Sequence, residues 1–182
     1  MKNFFIFIWE IIKIVTLALL IVAPIRYFIF QPFLVHGQSM EPNFGQNDYL
    51  LVDRISYRFR DPQRGEVIVF RPPQNFFHHH IKRIIGLPGE RIKIENGQII
   101  ISKQDLVPKI LNENDYLPHH LTTHGRIEIQ LNKDEYFVLG DNRNFSSDSR
   151  HWGSLKREYI IGRTFFRAWP FTEFTKIKAP TY

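Results

Sequence analysis

The sequence predicts a mainly β protein, one apolar N-terminal helix followed by a curled antiparallel β-domain. Residues 4–25 are mostly apolar, with Glu10 and Lys13 as the only charges, as a helix buried in an apolar phase requires. Beyond them, short runs rich in Val, Ile, Phe and Tyr alternate with turn formers, the pattern of strands. The chain also carries 17 Phe and 7 Tyr, residue types that favour pleated surfaces. Its 182 residues fit one domain plus an anchor, and the roughly 150 left after the first segment suffice for a proper core.

The elements follow in order. The uncharged run 14–25 is too short to cross about 30 Å of hydrocarbon as a helix, whereas 4–25 is long enough. Glu10 and Lys13 then share one helix face and can pair. Trp9 and Tyr27-Phe28 suit a membrane interface. No small-x-small cleavage site follows the apolar run, only Pro24-Ile25-Arg26, so residues 1–30 are expected to remain as a membrane anchor. Residues 31–182 form the β-rich domain. Residues 31–36 read as extended, with Pro32 marking the start. Residues 49–53 and 66–70 are strands on either side of the turn Asp61-Pro62-Gln63-Arg64-Gly65, and Arg71-Pro72-Pro73 ends the second. The apolar run through Ile81 and Ile84-Ile85 stops at Gly86-Leu87-Pro88-Gly89. Residues 91–95 and 98–102 flank Asn96-Gly97, a strong two-residue hairpin signal. Residues 103–125 are polar and aperiodic and read as a loop or small insertion. Residues 127–131, 136–139 and 159–169 complete the strands, and no helix is expected beyond the anchor.

Composition narrows the chemistry. Cysteine is absent, which excludes a disulfide framework and any thiol nucleophile. The net charge is +6, with basic clusters at Arg54, Arg58, Arg60, Arg64 and at Lys156, Arg157, Arg163, Arg167. Nucleic acid, anionic lipid headgroups beside a membrane anchor and a plain solvated surface all fit these clusters, and charge alone does not choose among them. Among the eight histidines, His78-His79-His80 cannot share one strand face, and Gly125 argues against a helix joining His120 to His124. No metal and no cofactor is expected.

Three stretches carry the chemistry. In Gly37-Gln38-Ser39-Met40-Glu41-Pro42 a serine sits on a turn between residues of restricted or unusual backbone geometry, which can aim its Oγ. A serine hydroxyl needs a neighbouring base. Lys82 lies in the apolar run before Gly86, and burial there would lower its pKa from about 10.4 towards neutrality, making it a base. The third stretch, Gly140-Asp141-Asn142-Arg143 through Ser146-Ser147-Asp148-Ser149-Arg150, is a polar loop between apolar segments.

Together with Arg64-Gly65-Glu66-Val67-Ile68-Val69-Phe70, these stretches resemble, in order, bacterial type I signal peptidase, a membrane-anchored Ser–Lys serine protease. The resemblance implies the curled sheet shared with self-cleaving repressor proteases, Ser39 as nucleophile and Lys82 as general base. It gives Ser146 the role of orienting the lysine amine, and makes Asp148 and Arg150 a supporting ion pair. Asp141, Asn142 and Arg143 look structural. Some members have a serine two residues before the nucleophile as an oxyanion donor; here Gly37 leaves that task to the Ser39 N–H with a further backbone donor or water. Substrates would be secretory preproteins with small residues at the first and third positions before the cut, bound as an added strand near residues 33–37 and 79–81. Phe33, Val35, Gly37, Met40, His80 and Ile81 are the expected contacts, with Phe33, Met40 and Phe76-Phe77 also shielding the lysine and meeting the membrane. The body would act as a monomer outside the cytoplasm, its partners being preproteins and membrane lipid rather than nucleic acid.

Other chemistries remain. A Ser–His–Asp triad could use Ser39 with His36 or His151. The Ser-x-x-Lys motif of penicillin-binding enzymes fails because Pro42 occupies the lysine position. A membrane-tethered β-domain that binds peptides without cutting them is the non-enzymatic alternative.

Overall fold

The computed structural model describes residues 2–24, 30–72, 77–103, 106–180 and 182. The expectations for Tyr27-Phe28, Pro73 and Phe76 lie outside these residues.

Helix α1, Lys2–Pro24, contains the span Phe4–Val22, long and apolar enough to cross a membrane and buried against nothing else in the protein. Its two interior charges meet on one face, Lys13 Nζ donating to Glu10 at 2.7 Å.

The body holds two antiparallel sheets. Strands β1 (Phe30–Leu34), β2 (Tyr49–Asp53), β3 (Val67–Phe70), β4 (His80–Gly86), β9 (Glu135–Leu139), β10 (Leu155–Lys156) and β11 (Ile160–Trp169) form the larger, in the order β1-β2-β11-β3-β4-β9-β10, with β12 (Thr175–Lys176) also on β11. Strands β5 (Glu90–Glu95), β6 (Gln98–Lys103), β7 (Lys109–Ile110) and β8 (Ile127–Gln130) form the smaller, in the order β7-β6-β5-β8. The β5–β6 turn is made as Asn96-Gly97 requires, both residues at positive φ (52° and 79°).

The larger sheet curls. Four strand spacings separate β1 from β4, about 19 Å in a flat sheet. Yet the Phe33 ring of β1 lies 5.4 Å from that of His79, at the start of β4. Rolling the sheet closes its two halves around a common cleft. Beneath that cleft, Val35, Met40, Phe44, Leu50 and Val67 form one buried cluster. Ile85 and Phe137 of the larger sheet share a second cluster with Ile92, Ile94 and Ile99 of the smaller, which ties the sheets together.

Three features depart from the sequence reading. A single α-turn, α2 (Ser149–Trp152), follows Asp148, whose carboxylate caps it by accepting from the Arg150 N–H. Residues 106–125 include β7 and send Glu113, Tyr116 and Thr123 back against the body. The two-residue strands β10 and β12 have no periodicity of their own; their partners β9 and β11 define them.

Candidate active site

Ser39 sits on a loop between β1 and β2 that is tied down at both ends. Gly37 adopts φ 87°, open to glycine, and its N–H donates to Gln46 Oε1 at 2.6 Å. That engagement removes the Gly37 N–H as an oxyanion donor. Beyond the serine, the Phe44 N–H donates to the Met40 carbonyl at 2.9 Å, and Asn142 holds the loop from across the site. The Asn142 backbone N–H donates to the Ser39 carbonyl at 3.1 Å, and its Nδ2 donates to the Gln38 carbonyl at 3.0 Å.

Lys82 arrives from β4. Strand alternation sends neighbouring side chains to opposite faces, so Lys82 and Arg83 part company. Lys82 is opposite Ile68 in the β3–β4 register, and only 3% of it is exposed. Its Nζ lies 2.6 Å from Ser39 Oγ and 2.9 Å from the Ile81 carbonyl. Burial pulls its pKa down to about 8, against the opposing pull of the Asp148 and Asp141 charges. Near neutral pH an appreciable fraction is therefore the free amine.

On the other face, Arg83 forms a two-pronged pair with Asp141, at 2.8 and 2.6 Å, and its guanidinium stacks 4.1 Å from the Tyr116 ring centre. Asp141 also accepts from Asn43 on the nucleophile loop at 2.9 Å. Arg143 is clamped by Glu113, at 2.5 and 2.6 Å, and by Thr123. Neither Glu113 nor Thr123 was singled out from sequence; no local pattern marks a loop carboxylate thirty residues from its partner. Asp148 accepts from Arg150 at 2.9 Å twice and from the Gly140 N–H at 3.0 Å. Burial alone would raise the Asp148 pKa, but these donors outweigh it and hold the carboxylate ionised.

Ser146 stands apart from its expected part. Its hydroxyl is buried beside Gly140, close enough to Asp148 to help hold that carboxylate ionised, and is not among the partners of the Lys82 amine. The amine is oriented instead by Ser39 and the Ile81 carbonyl.

The cleft around Ser39 and Lys82 has a volume of about 510 Å³ and is lined by Phe33, Val35, His80 and Ile81 among the expected contacts. Two others are corrected. Met40 is fully buried in the cluster below, so it can neither touch a bound chain nor meet a membrane, and Gly37 does not line the cleft. Phe77 lines it but is almost wholly exposed, so the strands rather than Phe77 shield the lysine. Leu34, His36, Leu50, Val69, His78, His79 and Ser147 line it as well. Both Phe33 and Leu34, neighbours on β1, line the cleft, as a cleft at a sheet edge allows. Burial, reinforced by the Lys82 charge, lowers the pKa of His80, whose Nδ1 has no partner among the described residues. Neither His36 nor His151 hydrogen-bonds Ser39 among the described residues.

A hydroxyl paired with a buried amine in an open, strand-edged cleft is the equipment of a peptidase. Comparison with known proteins agrees: the model of the family described as signal peptidase, peptidase S26, matches residues 8–169. A probable signal peptidase I-2 of Synechocystis is 39% identical over 88% of this chain and 73% of its own. A signal peptidase I of Leptolyngbya laminosa is 35% identical over 94% and 84%, and one of Bacillus caldolyticus 35% identical over 86% and 89%. The chain belongs to the signal peptidase family, peptidase S26, and its activity is that of a signal peptidase I, a serine peptidase.

Proposed function

We propose that this enzyme removes signal peptides from secreted preproteins by a Ser–Lys mechanism, held in a membrane by α1 with residues 31–182 on the extracytoplasmic side. The observation that carries the reading is the 2.6 Å approach of a buried lysine amine to Ser39 Oγ.

Neutral Lys82 takes the Ser39 proton as Oγ attacks the scissile carbonyl carbon. The tetrahedral oxyanion is met by the Ser39 N–H, which has no acceptor among the described residues. Collapse breaks the C–N bond, Lys82 returns the proton to the leaving amine, and an acyl ester on Ser39 remains. Water then attacks the ester, Lys82 again accepting and returning the proton, and free serine is restored.

Two unpaired strand edges support binding of an extended chain. β1 is an edge strand, and residues 80–82 of β4 pair with β3 alone, because pairing with β9 begins at Arg83. A peptide between them gains backbone hydrogen bonds on both sides, with Phe33, Val35, His80 and Ile81 beside it.

The test is preprotein cleavage in detergent by wild type, Ser39→Ala and Lys82→Ala, with folding followed by melting. The reading expects both variants folded and inactive. It fails if Lys82→Ala keeps most activity while His36→Ala or His151→Ala loses it. Tight peptide binding without cleavage by wild type would favour a binding module.

A further inference from the structure

A second cavity, of about 780 Å³, opens beside the first, and its lining is cationic. Among the described residues Arg54, Arg58, Arg71 and Arg157 line it, against one carboxylate, that of Glu158. Among the described residues none of the four guanidiniums lies within salt-bridge distance of a carboxylate, whereas Arg60, Arg64, Arg83, Arg143, Arg150, Arg163 and Arg167 all do. Every other arginine among the described residues is paired with a carboxylate; these four are not. Converging like charges repel one another unless an anion joins them.

Two of the four are held in place. Arg54 donates to Gln31 Oε1 at 3.2 Å, and Arg157 donates to the Tyr57 carbonyl at 2.7 Å while stacking 5.2 Å from the Tyr57 ring centre. Guanidinium forks match the oxygens of a phosphate in geometry as well as charge. The location names a source. Gln31 lines this cavity and lies seven residues beyond Pro24, the end of α1, so the connecting chain can span at most about 25 Å. Gln31 also shares a strand face with Phe33 of the peptide cleft, two residues on.

We infer that the Arg54–Arg58–Arg71–Arg157 cavity binds an anionic phosphate group, presented by a membrane lipid headgroup; the lipid source, though not the anion site, rests on the reading of α1 as a membrane anchor. A headgroup seated there would fix the height and tilt of the peptide cleft above the bilayer.

Binding is measured on the full chain in a zwitterionic detergent by titration with short-chain phosphatidylglycerol, matched phosphatidylcholine and inorganic phosphate. Saturable binding of phosphatidylglycerol alone supports the headgroup site. Equal binding of inorganic phosphate supports the anion site and assigns it to free phosphate. Arg54→Gln with Arg71→Gln should weaken binding at least about tenfold, since hydrogen bonds to charged groups are each worth about that factor. Glu158→Gln, which removes the opposing charge, should tighten it and serves if the double variant folds poorly. Arg91→Gln, on the smaller sheet, should change nothing. No saturable binding, equal binding by the Arg54/Arg71 variant, or binding only of an acidic peptide overturns the proposal.

Discussion

Gly140 follows β9 and passes directly beneath the nucleophile. A Cβ added there would fall inside the contact limit of the Ser39 carbonyl oxygen and of Ser146 Oγ. The Ser39 oxygen is backbone and is anchored by the Asn142 N–H at 3.1 Å, so it cannot swing aside as a side chain would. Gly140→Ala therefore forces Ser39 back by on the order of 1 Å, a misplacement that costs about 100-fold in rate when a reacting group is involved. Overpacking adds about 1–3 kcal/mol of destabilisation, which leaves a domain of this size folded. The assay is kcat/KM for preprotein cleavage alongside thermal melting. Gly45→Ala is the control, since a Cβ at Gly45 meets nothing within 4 Å. A folded Gly140→Ala enzyme within about threefold of wild type would refute the argument that this close approach positions the serine.

On the proposed mechanism the rate should rise with pH through a midpoint near 8, since that mechanism needs the neutral Lys82 amine to accept the Ser39 proton; a pH profile of kcat/KM checks it. Stability should rise over the same range. The folded-state pKa of about 8 lies below the ordinary 10.5, so between them the unfolded chain binds more protons and higher pH favours the folded state. The interval corresponds to about 3 kcal/mol, measurable by urea unfolding at several pH values and absent in Lys82→Met. Asp148→Asn leaves Arg150 poorly compensated and should cost about 3–5 kcal/mol in the same assay. Because the Asp148 charge raises the lysine pKa, the variant's rate midpoint should also move below wild type. Gly65→Ala should lower the melting temperature by about 4–8 °C, since φ is 82° and a Cβ would lie 2.7 Å from the Pro180 ring.

Legibility followed the range of the forces involved. The Asn96-Gly97 hairpin, the strand Tyr49–Asp53 and the apolar helix were readable because each is specified by its own residues: backbone freedom, side-chain alternation and length. β7, β10 and β12 were not, since a two-residue strand exists only by virtue of the strand beside it. The α-turn at Ser149–Trp152 was missed because four residues are too few for periodicity and its signal was one capping carboxylate.

The same division runs through the site. By itself the sequence determined the candidates, a serine on a constrained turn, a lysine in an apolar strand-like run and a loop rich in charges, because ordered motifs are written in residue identity. Only the tertiary structure decided what they become. Lys82 is a candidate base because β3 and the curled sheet bury it and bring its amine 2.6 Å from a hydroxyl 43 residues away. Met40 ended in the core, β4–β9 pairing set Asp141 beside Arg83, and the chain after β7 carried Glu113 to Arg143. Burial and charge pairing depend on what arrives from elsewhere in the chain, and only the closed sheet determines which groups arrive.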